Sequence, residues 1–553
     1  MVAIAFMLAL VATCCAAGLP VVDLGYELHQ AISFNSAQGL YNFSNIRYAA
    51  PPLGSLRFQA PRLPDLDRSQ IQNGSVGRVC PQAKPIWFND ILPEFLLSLS
   101  EGTSFNQSTD ISSYPYVPRQ SDSRINEDCL FLDVTVPKKI FDRGQKALAP
   151  VLVWIYGGGF AEGDKSQEDP SGLINRSTIV GDGVVYVAIN YRLGAFGWLG
   201  GDTLMANGTA NAGLHDQRFA LEWIHKNIHL FGGNPKAITV IGESAGGGSI
   251  MHLITAHGGQ KPSLFQRAIV QSPGWTPMPD QQQPEEILQN FLALLNVNTV
   301  DEARGLSSEK LIAANEYQIA TQSKWGDFTY TPVVDGTLVP ALPGQLLMEG
   351  KFDQSLNVMT GHNEDEGILF TPPESANSSA LPRLLKVYYP LIKQDVIDYV
   401  TEVLYPAVYN GSYSYTNAIE RYAFIISTSI FECNTEYLNW AYENQTFAYQ
   451  FSVPPSLHGQ DTLYTFYNPD KLGVDGGLSE LQVQNASVAF AMQDYFTSFA
   501  QFGVPQSAVG GPIFPRYGEE NMLLNIGSQT IEAIHDFSDN FRCRYWQTAP
   551  YYS

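Results

Sequence analysis

Six short runs of β-branched and aromatic residues, each ending at a turn or loop, constrain the fold of this chain more than any other feature. "VLVWIY" (151–156) runs directly into Gly157, "VVYVAINY" (184–191) ends at a loop, and "AITVIG" (237–242) leads into a sharp corner at Ser244. "AIVQS" (268–272), "LNVMTG" (356–361) and "TFAYQFSV" (446–453) continue the series. Strands this uniformly apolar are buried on both faces, the pattern of a parallel sheet covered by helices. Between them, "LHDQRFALEWIHKNI" (214–228) places Leu214, Leu221, Ile224 and Ile228 near one helical face. "AGGGSIMHLIT" (245–255) starts a second helix whose glycines allow close packing on the sheet. The expected class is α/β: a large, mostly parallel sheet flanked by helices, with long loops that build a recessed site at the strands' carboxyl ends.

At 553 residues the chain is long enough for several average domains. No Gly/Ser tract, proline-rich run, charge block or internal repeat marks a linker, so residues 18–553 are expected to form one large, loop-decorated domain. A formal charge of −22 argues against nucleic acid and anionic membrane surfaces as partners. "MVAIAFMLALVATCCAA" (1–17) reads as a secretory signal peptide without Lys or Arg in its n-region, with cleavage expected after Ala17. No later run approaches the ~20 apolar residues of a membrane span. A secreted protein without a stable membrane anchor is expected, its oligomeric state open. Cleavage removes Cys14 and Cys15 and leaves Cys80, Cys129, Cys433 and Cys543. An even number in an oxidising compartment implies two disulfides, with all 3 connectivities open at this point. No C-x-x-C pair suggests zinc, and no metal or cofactor is expected. Nine N-x-S/T sequons, at Asn42, Asn73, Asn106, Asn175, Asn207, Asn377, Asn410, Asn444 and Asn485, point to a glycoprotein.

The chemistry centres on "GESAG", where Ser244 sits between small residues at a strand-to-helix corner. Such a turn crowds its neighbours and projects the hydroxyl outward. A serine needs a base within hydrogen-bond reach, a carboxylate to orient that base, and amide donors for the oxyanion of the tetrahedral intermediate. The amide of Ala245, at the start of the following helix, is one candidate donor. Gly157, Gly158 and Gly159 follow an apolar strand and supply a turn whose amides can face inward. In a serine site of this kind the acid and then the base come later in the chain. Glu364, Asp365 and Glu366 lie just past one strand, and His458 lies just past the next. Spacing puts His458 first as base and leaves the acid among three neighbours, with Glu366 ahead. His362 precedes these acids and reads as a loop residue; His535, in "EAIHDF", reads as a structural residue of a helix-like tail.

At these positions the sequence resembles the type-B carboxylesterase and lipase family, most closely its secreted fungal members. "FGGNPKAITVIGESAG" (231–246) fits the family's serine signature, "EDCLFLDVTVP" (127–137) its second signature, and "YGGGF" with "GDGVVYVAINYRLGAFGWL" its oxyanion region. "RYAAPPLGSLRF", "YTPVVDG" and "DEG" extend the likeness over nearly the whole mature chain. The resemblance implies an α/β-hydrolase fold and a serine carboxylic ester hydrolase acting on a small-molecule or lipid ester. It implies Ser244 as nucleophile, Glu366 as acid, His458 as base, and Gly158, Gly159 and Ala245 as oxyanion donors. It also implies that Glu243, Ser272 and Asp461 support those residues, and that the disulfides are Cys80–Cys129 and Cys433–Cys543.

Substrate is less constrained. "PIWFNDILPEFLLSL", inside the Cys80–Cys129 loop, places Ile91, Leu92, Phe95, Leu96 and Leu99 on one stripe. That stripe forms either a lipase lid or a helix packed on the enzyme body. Trp87 admits a quaternary-ammonium site by cation–π attraction, although its flanking residues match poorly. Trp154 and Trp275 either shape the acyl pocket or fill the core. Three alternatives to a plain esterase stand: a lipase with a lid, an acyl-transfer enzyme of specialised metabolism, and a non-catalytic cholinesterase-like binding protein. The presence of all three triad residues weighs against the last.

Overall fold

The apolar runs pair into an eleven-stranded sheet in the computed structural model, which describes residues 18–105, 107, 109–118, 122–471 and 482–552. The signal segment 1–17 and the sequon at Asn106 lie outside the described residues. In chain order the strands are β1 (Ser33–Asn35), β2 (Leu40–Arg47), β3 (Phe131–Pro137), β4 (Ala149–Ile155), β5 (Val185–Ile189) and β6 (Gly233–Glu243). They continue with β7 (Arg267–Gln271), β8 (Asn357–Asn363), β9 (Phe447–Ser452), β10 (Met522–Gly527) and β11 (Ile531–His535). Their spatial order is β11-β10-β9-β8-β7-β6-β4-β5-β3-β2-β1. From β5 through β10 every neighbouring pair is parallel; the pairs at both edges are antiparallel. Every residue of β5 is buried, as a strand with helices on both faces requires.

The helices that matter to the site follow from the same patterning. Seven are labelled here: α1 (Leu92–Ser100), α2 (Ser171–Val180), α3 (Ala212–Asn227), α4 (Ala245–Ile254), α5 (Cys433–Ala441), α6 (Ala486–Phe502) and α7 (Phe541–Gln547). Leu214, Leu221, Ile224 and Ile228 are all buried, so α3 turns its apolar face to the sheet as its periodicity demands. α2 packs on α6 and α3 touches α4; α6 and α4 each contact the central strands β4 and β6, and α3 contacts β6. Where β5 gives way to a loop, Arg192 reaches Asp216 on α3 through two bonds of 2.7 Å, with both side chains buried. Removing one partner of such a pair typically costs about 3–5 kcal/mol, because the other charge is left buried alone. This pair therefore fixes α3 against the loop whose Gly194 amide bonds the Phe160 carbonyl, just past the Gly157–Gly159 turn.

The disulfides join Cys80 to Cys129 and Cys433 to Cys543, the pairing implied by the family resemblance. The first closes the loop that carries α1; the second ties α5 to α7. Ile91, Leu92 and Phe95 are buried and Leu96 and Leu99 half-buried, with the Phe95 ring against Phe105 and Trp325. The stripe is thus docked on the body of the fold.

Two histidines differ from their sequence reading. His362 is not in a loop: β8 runs past the apolar segment, and the ring is buried with Thr435 Oγ1 3.5 Å from Nδ1. His535 ends β11 rather than lying in a helix, because antiparallel pairing of Met522 with His535 through Ile526 with Ile531 supplies the backbone bonds that local helix preference would have taken.

Candidate active site

Ser244 sits between the end of β6 and the start of α4, with φ 57° and ψ −122°. A serine held at positive φ is uncommon, and the neighbours show what holds it there. A Cβ on Gly246 would lie 2.0 Å from the Ile155 carbonyl oxygen, and one on Gly242 would lie 2.7 Å from the same atom. Only glycine lets β4 and the corner approach this closely. The Ser244 amide donates to the Gln271 carbonyl at 3.1 Å, and its own carbonyl accepts from Gly248 and Gly274. The corner is therefore pinned from both sides while the side chain projects outward.

The candidate base and acid, His458 and Glu366, come from loops that leave adjacent parallel strands. The Asp365 amide donates to Ser456 O at 3.0 Å and the Glu364 amide to Phe451 O at 3.0 Å, which locks the loop after β8 to the loop after β9. That register brings His458 against Ser244: Nε2 lies 2.8 Å from Oγ. On its other side Nδ1 is hydrogen-bonded to Glu366 Oε2. Glu366 opens the 3-10 turn Glu366–Phe370, is fully buried, and accepts on Oε1 from Ser272 Oγ and the Asn363 amide, each at 2.6 Å. Glu364 and Asp365 are exposed. Of the three acids that spacing left open, Glu366 alone meets the ring. The Phe431 and Phe370 rings, 4.4 and 5.1 Å from the imidazole centroid, wall it in.

Ser272 and Asp461 stand behind the acid. The Ser272 oxygen that donates to Glu366 accepts from Asn363 Nδ2 at 3.2 Å. Asn363 Nδ2 is also 3.3 Å from Asp461 Oδ1, and Asp461 Oδ2 accepts from Tyr449 at 2.7 Å and Gln271 at 2.9 Å. Glu243 Oε1 stands 3.3 Å from His458 Nε2 and accepts no hydrogen bond among the described residues. Three carboxyl groups, of Glu243, Glu366 and Asp461, therefore act on one imidazole.

The charges follow from that crowding. Burial pushes the Glu243 carboxyl up to about 8, against the pull of the imidazolium beside it. Burial also disfavours the charged His458 ring, but the negative charges of Glu243, Glu366 and Asp461 and the Glu366 hydrogen bond outweigh it, raising its pKa to about 9. For Glu366 burial works upward, yet the His458 charge and the donors His458, Ser272 and Asn363 hold it below its ordinary value. Asp461 is raised by burial. Glu366 is thus the ionised partner of the ring.

Ala245 is the first residue of α4, where no intrahelical acceptor exists for its amide. Gly158 and Gly159 follow β4 with φ 96° and 59°. A Cβ on Gly159 would lie 2.4 Å from the Phe328 ring, so this turn is open only to glycine. Gly159 and Ser244 border the same cavity, walled by Trp275, Phe328, Phe370 and Phe431. Trp275 therefore lines the pocket. Trp154 does not: it is core, with its ring 4.8 Å from Phe466. Trp87 is fully buried among Phe88, Trp325 and Phe328 and gives its indole N–H to the Asp327 carbonyl at 3.0 Å, which leaves no open face for an ammonium ligand. Sequence reasoning missed Asn363, which bridges Ser272, Glu366 and Asp461, and Asp327, which borders the cavity. Neither carries a motif of its own; only tertiary contact reveals them.

A mostly parallel sheet with its serine corner at the carboxyl end of a central strand, and with a buried glutamate and a histidine on the loops that follow, defines an α/β-hydrolase. The sequence model of the Carboxylesterase family matches residues 30–546, and the chain belongs to that family. Among its relatives, Carboxylesterase patB of Penicillium expansum is 38% identical over 553 residues, covering 97% of each chain. Carboxylesterase patB of Aspergillus clavatus is 40% identical over 548 residues, covering 96% of each. The crystal structure of Aspergillus niger EstA superposes with a TM-score of 0.80 at 24% identity, covering 97% of this chain and 99% of that one, a likeness of fold.

Proposed function

We propose that this enzyme is a secreted serine carboxylic ester hydrolase in which Ser244 is the nucleophile, His458 the base and Glu366 the acid. One observation carries the reading: a single imidazole has one nitrogen 2.8 Å from the Ser244 hydroxyl and the other bonded to a buried carboxylate. His458 takes the serine proton as Oγ attacks the ester carbonyl carbon, and Glu366 stabilises the resulting imidazolium. The amides of Gly158, Gly159 and Ala245 receive the oxyanion; one such donor is typically worth about 10²–10³ in kcat. Collapse of the intermediate expels the alcohol with a proton from His458. Water, deprotonated by the same ring, then frees the acid and regenerates the hydroxyl. The signal segment, the two disulfides and the sequons support secretion, with Asn73, Asn207, Asn377 and Asn410 exposed for glycosylation.

Hydrolysis of p-nitrophenyl esters from acetate to palmitate, with and without an oil–water interface, tests this reading. Turnover of the short esters is expected, with no jump when the interface forms, because the apolar stripe around α1 is already docked. A sharp interfacial rise would favour the lipase alternative; inertness toward every ester would overturn the proposal.

The ring's surroundings also set a pH dependence. The base works only when neutral, so kcat/KM rises with pH through the His458 pKa, which is raised to about 9. Glu243 is a positioning residue in this scheme: its charge favours the imidazolium. Glu243→Gln removes that charge, lowers the ring's pKa, and is expected to move the acid limb of the profile to lower pH. A larger share of plateau activity between pH 8 and 9, where Glu243 is ionised in the parent, is the expected result; an unmoved limb would show that Glu243 acts on packing alone.

A further inference from the structure

The cavity beside Ser244 has aromatic walls, and its polar lining is almost wholly turned back on the protein. Thr276 Oγ1 donates to Asp327 Oδ1 at 3.0 Å, Tyr330 to Gln318 Oε1 at 2.6 Å, Thr331 Oγ1 to the Thr276 carbonyl at 3.1 Å, and Tyr388 to the Gly326 carbonyl at 3.0 Å. Apart from Ser244 itself, two polar side-chain groups are left over: the Trp275 indole N–H, a donor with no partner among the described residues, and the Asp327 carboxylate, the one acceptor. Its Oδ2 has no side-chain donor among the described residues, and exposed Lys324 acts on it only as a charge at a distance.

Asp327 also shapes its own turn: its amide donates to the Lys324 carbonyl at 2.9 Å, and the amides of Phe328 and Thr329 favour its charged form. An asparagine would accept the same bonds without setting a charge among Trp275, Phe328, Phe370 and Phe431. Thr276 and the two amides fill only part of the carboxylate's acceptor capacity, and a buried charge is costly to the extent that capacity goes unmet. Burial accordingly pushes its pKa up.

We propose that Asp327 determines specificity by accepting a hydrogen bond from the substrate. The preferred ester then carries a donor, a hydroxyl or a protonated amine, on the part that fills this cavity. The inference rests on the ester-hydrolase reading of Ser244 and names the substrate class of that same site. A site built to hold a donor discriminates against the analogue lacking one, because the acceptor is then left unpaired.

Matched esters test it: p-nitrophenyl butyrate against its 3-hydroxy and 3-amino derivatives, and propyl butyrate against 2-hydroxyethyl butyrate. The parent enzyme is expected to favour at least one donor-bearing ester by about tenfold or more in kcat/KM. In Asp327→Leu, a near-isostere without an acceptor, that ratio should collapse toward one, the donor-bearing ester losing more than the plain one. Asp327→Asn keeps an acceptor without charge; it retains part of a hydroxyl preference and loses an amine preference, which separates the two sources. No preference in the parent, or an equal fall for all esters in both variants, would overturn the proposal and leave Asp327 a turn-forming residue. Failure of the ester-hydrolase reading looks different: plain and donor-bearing esters would be equally inert in the parent, and the proposal would fall with it.

Discussion

Ser244→Ala is expected to lower kcat for p-nitrophenyl butyrate by about 10⁶-fold, the scale on which a serine hydrolase loses its nucleophile. The substitution removes one oxygen, which bonds His458 Nε2 at 2.8 Å and no other side chain among the described residues. Alanine tolerates the corner as serine does, since the φ of 57° is imposed by Gly242, Gly246 and the bonds from Gly248 and Gly274. The melting temperature should therefore stay within a few degrees of the parent's. The residual rate should still exceed that in water by about 10³–10⁴-fold, from the oxyanion amides and binding alone. Stopped-flow release of p-nitrophenol reads the acylation burst directly: the parent shows one turnover per active site and the variant shows none. Retention of the burst in a correctly folded variant would remove Ser244 from the reaction.

The strands were legible because six of them are buried on both faces, so each appears as an unbroken apolar run. Their ends were not. β6 begins at Gly233, ahead of the apolar run at 237, since Gly233 pairs with Ala149 of β4 and the register then shifts before pairing resumes at Ile238. β11 escaped notice for the same reason: an exposed edge strand has little apolar alternation, and its partner strand decides its form. In the site, the serine corner and the glycine turn were legible because the backbone there admits few residue types. Which acid of three meets the ring was not legible from spacing; it depends on where the chain enters a 3-10 turn, and that turn begins at Glu366. The disulfide pairing was likewise open to arithmetic and closed only by family likeness. Asn363 and Asp327 were silent, because a hydrogen-bond bridge and a cavity wall are properties of the fold, not of a local string.

Glu366→Gln carries the second-largest effect, an expected loss of about 10⁴-fold in kcat. The mechanism is a tautomer error. Oε1 of Glu366 receives two donors, the Ser272 hydroxyl and the Asn363 amide, so the glutamine carbonyl oxygen would take that position. The amide NH₂ would then face His458 Nδ1 and force that nitrogen to accept. Nε2 would carry the ring proton and point it at Ser244, leaving no acceptor for the serine hydrogen. Some stability is expected to be lost, because the fold holds Glu366 ionised below its ordinary pKa and glutamine forfeits that pairing with His458. Loss of the carboxylate also withdraws support from the imidazolium, so whatever activity remains should rise at lower pH than in the parent. Glu364→Gln and Asp365→Asn serve as controls, since both side chains are exposed and neither meets the ring. Their kcat is expected to stay within about threefold of the parent's, as for surface changes away from the reacting groups. Equal losses at 365 and 366 would mean that negative charge near the ring, rather than one hydrogen-bonded carboxylate, drives the reaction. More than a tenth of the activity surviving in a folded Glu366→Gln enzyme would mean that His458 takes its orientation from Glu243 instead.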